Sequence, residues 1–225
     1  MSCYGNIVNI DILESIIDND IMMLDQLDES VNNISDLIRK FTDTIKKIIL
    51  WIKQKIRELV AKKFDNKIEA MKKKYKGTKM RYKENFEPFE IFDNKAFNNI
   101  SHSFNDFANS SLNSEELIDA VNTNKDKTIS INNSNDQTKW IAIYNNLNPS
   151  IIAGNVNKLN KMIKILNDSA NDLNKERKEN YTEISKNLNA LLNAVNITSK
   201  YYVSSSIQIY SSYKKLLTKN LEVVE

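Results

Sequence analysis

Ten basic side chains carry the most concentrated chemistry in the sequence: Lys46, Lys47, Lys53, Lys55, Arg57, Lys62, Lys63, Lys72, Lys73 and Lys74. Cations at this density attract anions, with phosphate backbones favoured over lipid headgroups as the partner. The plainer alternative is a core helix whose lysines form its solvated side. A second set of residues repeats a short pattern. Ile12-Leu13-Glu14-Ser15 and Leu27-Asp28-Glu29-Ser30 each run aliphatic, any residue, Glu, small residue. Most other chemistry lacks its residues. Cys3 and His102 are each alone in their kind, which argues against an internal disulfide, a Cys/His zinc site and a thiol–imidazole pair. No Gly-rich phosphate loop, His-Glu-x-x-His, Gly-x-Ser-x-Gly or paired-carboxylate pocket occurs. A non-enzymatic chain with no cofactor, no metal and no small-molecule substrate is expected.

The basic residues lie on an apolar seam. Leu24, Val31, Ile38, Ile45, Ile52 and Leu59 recur every seventh position, with Leu27, Ile34, Phe41 and Ile48 three residues after the first four. This is the period of a coiled-coil helix. No Gly or Pro interrupts residues 6 to 76, so the pattern predicts one continuous helix through Leu24–Lys63, about 60 Å long at 1.5 Å per residue. Ile49, Leu50, Trp51 and Ile56 widen its apolar face. Charge reverses along it: residues 1–38 hold eight acids and no base, whereas 39–83 hold seventeen bases and four acids. The net charge of +3 conceals that polarity.

Farther along, Phe86, Phe89, Phe92, Phe97, Phe104 and Phe107 cluster with Pro88. Their irregular spacing argues against one amphipathic helix and for a connector whose rings dock into a helical core; base stacking is the lesser reading. Asn113 with Glu116 resembles a helix start, followed by Leu117, Ile118 and Val121. Thr128 to Ile131 is a candidate strand within a polar loop. Trp140, Ile143, Tyr144 and Leu147 fit a helix ending before Pro149, and Gly154 marks a joint. Heptad spacing then returns from Leu159 to Val195, as one helix or as two broken near 171–180, and a further helix carries Val203, Ile207, Tyr210, Leu217 and Leu221.

The expected fold is all-α: long amphipathic helices in an antiparallel bundle or coiled coil, around an irregular middle region. With 3 Gly and 2 Pro in 225 residues, the chain lacks the punctuation a sheet needs. Four segments are expected: an acidic lead over 1–29, a basic helix over 30–84, a Phe-rich connector over 85–154 and a helical hairpin or coiled coil over 155–225. No apolar run approaches the roughly 20 residues of a membrane span, and acids replace the basic and apolar regions of a signal peptide.

The two Glu-containing tetrapeptides resemble the maturation sites of tailed-bacteriophage head proteins, which a prohead protease cuts after the Glu. The acidic lead before a basic amphipathic helix is similar to the layout of phage internal head proteins, over roughly residues 10 to 63. That resemblance implies a structural protein made in the bacterial cytoplasm and packaged in the head interior. It implies candidate cuts at Glu14/Ser15 and Glu29/Ser30, with other virion proteins, further copies, or double-stranded DNA bound without base specificity as partners. Cutting after Glu29 removes seven acids and no base, so the formal charge of +3 becomes +10. The alternatives are a helical adaptor that oligomerises through the seam and a membrane-active protein in which Trp51 and the isoleucines enter anionic lipid.

Overall fold

A computed structural model describes residues 10–26, 34–61, 79–132, 149–173 and 181–224. The all-α expectation holds, with small β pairings added. Among the described residues the order is α1 (Ile10–Asp25), α2 (Ile34–Ala61), β1 (Lys79–Tyr82), β2 (Phe89–Phe92), α3 (Asn94–Ala108), α4 (Ser114–Asn124), β3 (Thr128–Ile131), α5 (Pro149–Leu173) and α6 (Tyr181–Lys215). A π-helical turn (Leu216–Asn220) and β4 (Leu221–Val224) follow.

The long uninterrupted helix expected through Leu24–Lys63 is replaced by a helical hairpin. α1 ends at Asp25 and α2 begins at Ile34. Asp20 then meets Thr44 and Lys47, so the two helices run antiparallel. The reason is burial. Leu13, Ile17, Ile21 and Leu24 recur every third or fourth residue and all lie inside, where a straight rod would leave this face in water. α2 spans about 42 Å at the usual helical rise. Within it the seam residues Phe41, Ile45, Ile48, Ile52 and Leu59 are buried and Ile38 is half-buried. Leu27 and Val31 lie outside the described residues.

α5 and α6 also run antiparallel. Asn155 Nδ2 donates to Ser205 Oγ (3.2 Å) and Ser206 Oγ (3.0 Å), and farther along Ser199 Oγ meets Met162 Sδ at 2.9 Å. Residues 174–180, where a break is one of the two expectations, lie outside the described residues, and Val203, Ile207 and Tyr210 continue α6 instead of forming a further helix. Gly154, expected as a joint, is inside α5: nothing lies within 4 Å of an added Cβ, so packing does not require a glycine there. Pro149 opens this helix, where its missing N–H costs no bond. α2 packs against α5 and α6, so one core unites these three helices.

The middle region is more regular than expected. α4 starts with a capping box, Asn113 Oδ1 accepting from the Glu116 N–H (2.9 Å) and Glu116 Oε2 from the Asn113 N–H (3.0 Å). β3 covers the expected Thr128–Ile131 and pairs antiparallel with β2, Phe89 opposite Ile131. The Phe-rich segment is not one amphipathic helix, as expected: Phe89 and Phe92 lie in β2, and only the second half forms such a helix, α3, where Phe97, Ile100 and Phe104 face inward together. Asp93 caps it, its side chain accepting from the Ala96 N–H at 2.8 Å. The rings dock as expected, with Phe97 5.0 Å from Phe92 and 6.1 Å from Tyr201, and Phe104 5.8 Å from Tyr202.

Two further segments depart from helix. β1 lies inside the stretch read as a basic helix over 30–84, and β4 replaces the terminal helical turn expected at Leu221. They pair antiparallel, Lys79 opposite Val224 and Tyr82 opposite Leu221. Asn220, fully buried, fastens this end: its Oδ1 accepts from the Glu87 N–H (2.8 Å) and its Nδ2 donates to the Glu87 carbonyl (3.1 Å).

Candidate anion-binding face

Helical spacing divides the five described basic candidates of α2 into two groups. Lys46, Lys53 and Arg57 are exposed and share an outward ridge with Leu50 and Val60, all stepping by threes and fours. Lys46 is tied to Asp43 at 3.4 Å, whereas Lys53 and Arg57 have no ion-pair partner among the described residues. Lys47 and Lys55 are otherwise engaged. Lys47 Nζ binds Asp20 at 2.6 Å, and Lys55 lies 5.9 Å from the Trp51 ring centre and 3.6 Å from Glu58. Lys62, Lys63, Lys72, Lys73 and Lys74 lie outside the described residues.

The inner face of α2 is not offered to a partner. Ile45, Ile48, Trp51 and Ile52 are all at most 2% exposed, packed within the chain. Pairing copies through the seam, or inserting Trp51 into lipid, would require α2 to leave this core. Leu50, expected to widen the apolar face, points outward at 46% exposure. The Phe rings expected to dock do so: Phe89, Phe92, Phe97 and Phe104 are buried, which leaves them no face for a base.

Glu14, Asp18, Asp20 and Asp25 of α1 are partnered by two neighbouring helices. Asp18 takes Lys200 Nζ at 2.6 and 2.7 Å and the Asn196 amide at 2.9 Å; Glu14 lies 3.3 Å from the same Lys200. Asp25 accepts from Asn189 at 3.0 Å, and Asp20 faces α2. This acid-to-amide ladder along α1 and α6 was missed in the sequence. Its signal was there, since Asn189, Asn193, Asn196 and Lys200 follow helical spacing, but which helix they face depends on packing.

Of the candidate cleavage residues, Glu14 and Ser15 fall within α1. Ser15 is exposed, and Glu14 is half-buried against Lys200. Cutting there requires a turn of helix to unwind, because a helical backbone keeps its carbonyls bonded. Glu29 and Ser30 lie outside the described residues, between α1 and α2.

Beside the ladder, α1, α4 and α6 enclose an open cleft of about 770 Å³ lined by residues of both charges, including Asp25, Glu115, Lys186 and Lys200. A second chemical feature lies at Lys158 on α5. Its Nζ stands 5.3 Å from the Phe97 ring centre and 4.9 Å from that of Tyr202, and donates to Ser101 Oγ at 3.1 Å. Burial, and then the charge of Lys161, lower its pKa. Burial raises the pKa of Tyr201 and Tyr202. The Tyr202 hydroxyl makes no hydrogen bond of standard geometry, although nearby Ser101 offsets part of the rise. His102 is exposed, and among the described residues no three His, Cys, Asp or Glu gather as a metal site.

Among the described residues no helix is long and apolar enough to cross a membrane. No family model matches the chain, and no curated protein or solved structure proves similar to it.

Proposed function

We propose that this chain is a non-enzymatic structural protein of the bacteriophage-head type, whose outward α2 ridge contacts DNA phosphates or the capsid interior. The observation that carries this reading is the ridge itself. Lys53 and Arg57 are one helical turn apart, exposed and without an ion pair among the described residues, while the core face behind them is closed. A rigid helix presenting cations one turn apart suits a phosphate backbone, since no side-chain order must be imposed on a loop to bind it. The acids of α1 support the second half of the reading, an acidic lead that offsets basic charge before processing, because Asp20 holds Lys47 and Asp18 holds Lys200.

Two measurements test it. Binding to a DNA duplex should weaken steeply with salt. K53E/R57E should lower the affinity for all sequences alike and reduce the log–log salt slope by about 2, one unit per lost contact. An unchanged slope in the double variant overturns the ridge as the phosphate contact. Mass spectrometry of particle-derived protein should find Ser15 or Ser30 as the first residue; Met1 at the start removes processing from the reading.

A further inference from the structure

Of the seven exposed large apolar side chains among the described residues, Ile12, Ile16, Met23, Leu50 and Val60 belong to the outer sides of α1 and α2, while Met22 lines the cleft beside α6 and Ile207 lies on α6. Ile12, Ile16 and Met23 of α1 are 56%, 40% and 53% exposed, and Leu50 of α2 is 46% exposed. In α1, positions 12, 16 and 23 fall along one stripe, offset from the buried stripe of Leu13, Ile17, Ile21 and Leu24 toward the side on which Asp20 meets α2. In the antiparallel register with Asp20 against Thr44 and Lys47, Ile16 comes level with Leu50. The outer face of the hairpin therefore has an apolar ridge on α1 beside a cationic ridge on α2, carried by helices whose axes pack roughly 8–10 Å apart.

Between the two helices lies a hollow of about 190 Å³ lined by Asp20, Met23 and Leu24 of α1 and by Lys40, Asp43, Thr44 and Lys47 of α2, with Asp20 held by Lys47. Lys40 is exposed and has no ion pair among the described residues. Acids on this outer side of α2 are already engaged, Asp36 with Arg39 at 3.1 Å and Asp43 with Lys46. The uncompensated charge is thus positive.

We propose that this face docks an amphipathic helix of a partner protein, with an apolar stripe laid on Ile12, Ile16, Met23 and Leu50, one side chain anchored in the hollow beside Lys40, and acids along the flank facing Lys53 and Arg57. A phosphate backbone on Lys53 and Arg57 leaves the α1 ridge uncovered, because it has no apolar stripe to bury there, so the partner helix and DNA compete for these two cations and only the helix covers the whole face. A flat lipid surface leaves the hollow unfilled. A helix satisfies both ridges and the hollow, with the spacing of three and four that helix-in-groove recognition uses. The ridge from Ile12 to Met23 spans about three turns, enough for four anchors.

The test uses the full, unprocessed chain, because a cut after Glu29 removes α1 and this face with it, and a fluorescein-labelled synthetic helix carrying a leucine stripe flanked on one side by glutamates. A matched helix with lysines in place of the glutamates and a phosphatidylserine-containing vesicle are the comparisons. The Glu helix should bind saturably and at least tenfold more tightly than the Lys helix. Ile16→Ser/Leu50→Ser, both at exposed positions, should weaken it at least tenfold while leaving DNA binding intact; Ile207→Ser, exposed elsewhere on α6, should change nothing. Equal binding of the two helices, no saturable binding by a chain that still binds DNA, or vesicle flotation without helix binding each overturns the proposal. Helix binding by a chain that ignores DNA overturns the phosphate contact alone.

Discussion

Lys158 shows how a single charge can be held by rings. Its ammonium stands over Phe97 and Tyr202, where cation–π attraction offsets part of the cost of leaving water, yet burial and Lys161 still favour proton loss. The unfolded chain consequently holds this proton more firmly than the fold does. Stability should rise as pH climbs toward the unfolded value of 10.5, and the rise should be absent in Lys158→Met. Tyr201 and Tyr202 act oppositely: their raised pKa means the unfolded chain sheds protons first, so stability falls above pH 10.0 in both proteins. Urea midpoints through the alkaline range check this, and a parallel rise in the variant would remove Lys158 as its source. Little of this was legible in sequence, because Phe97, Ser101, Lys158 and Tyr202 come from three helices whose meeting is decided by packing.

At the scale of elements, local chemistry predicted well wherever it is local. The Asn113–Glu116 capping box needs only four neighbouring residues, and the strand at Thr128–Ile131 needs only its own β-branched alternation. α3 was hidden by counting phenylalanines alone; adding Ile100 to Phe97 and Phe104 restores the helical spacing. The hairpin of α1 and α2 was less accessible. An apolar stripe reads alike in a long rod and in two helices folded together, and only tertiary burial separates them. α1 gains its place from side chains that lie wholly inside. Ile17→Ala should cost about 2–5 kcal/mol by leaving a cavity, whereas Ile16→Ala beside it, exposed on the outer ridge, should stay within about 0.5 kcal/mol. Denaturant titration of both variants compares them directly, and equal losses would mean that α1 does not bury the stripe described.

For the whole molecule, the all-α class followed from sparse Gly and Pro, but the strand pairings did not. β1 and β4 are four residues each, and nothing near either one names the other. Their union closes the chain beyond α6, with Asn220 locked on Glu87. Truncation after Lys215 removes both fastenings. Trypsin should then cut faster at Lys79, Arg81 and Lys83 while the helical circular dichroism largely persists, since the buried aliphatics of α1, α2, α5 and α6 remain. Unchanged cutting at these sites would show that β4 gives β1 no protection.

The same pairing has a consequence during synthesis. Lys79 leaves the ribosome 145 residues before Val224, its opposite number. At about 5–20 residues per second, β1 waits roughly 7 to 30 s for its partner. Throughout that interval its backbone donors and acceptors are an open edge, available to any passing strand, including the β1 of a neighbouring nascent chain.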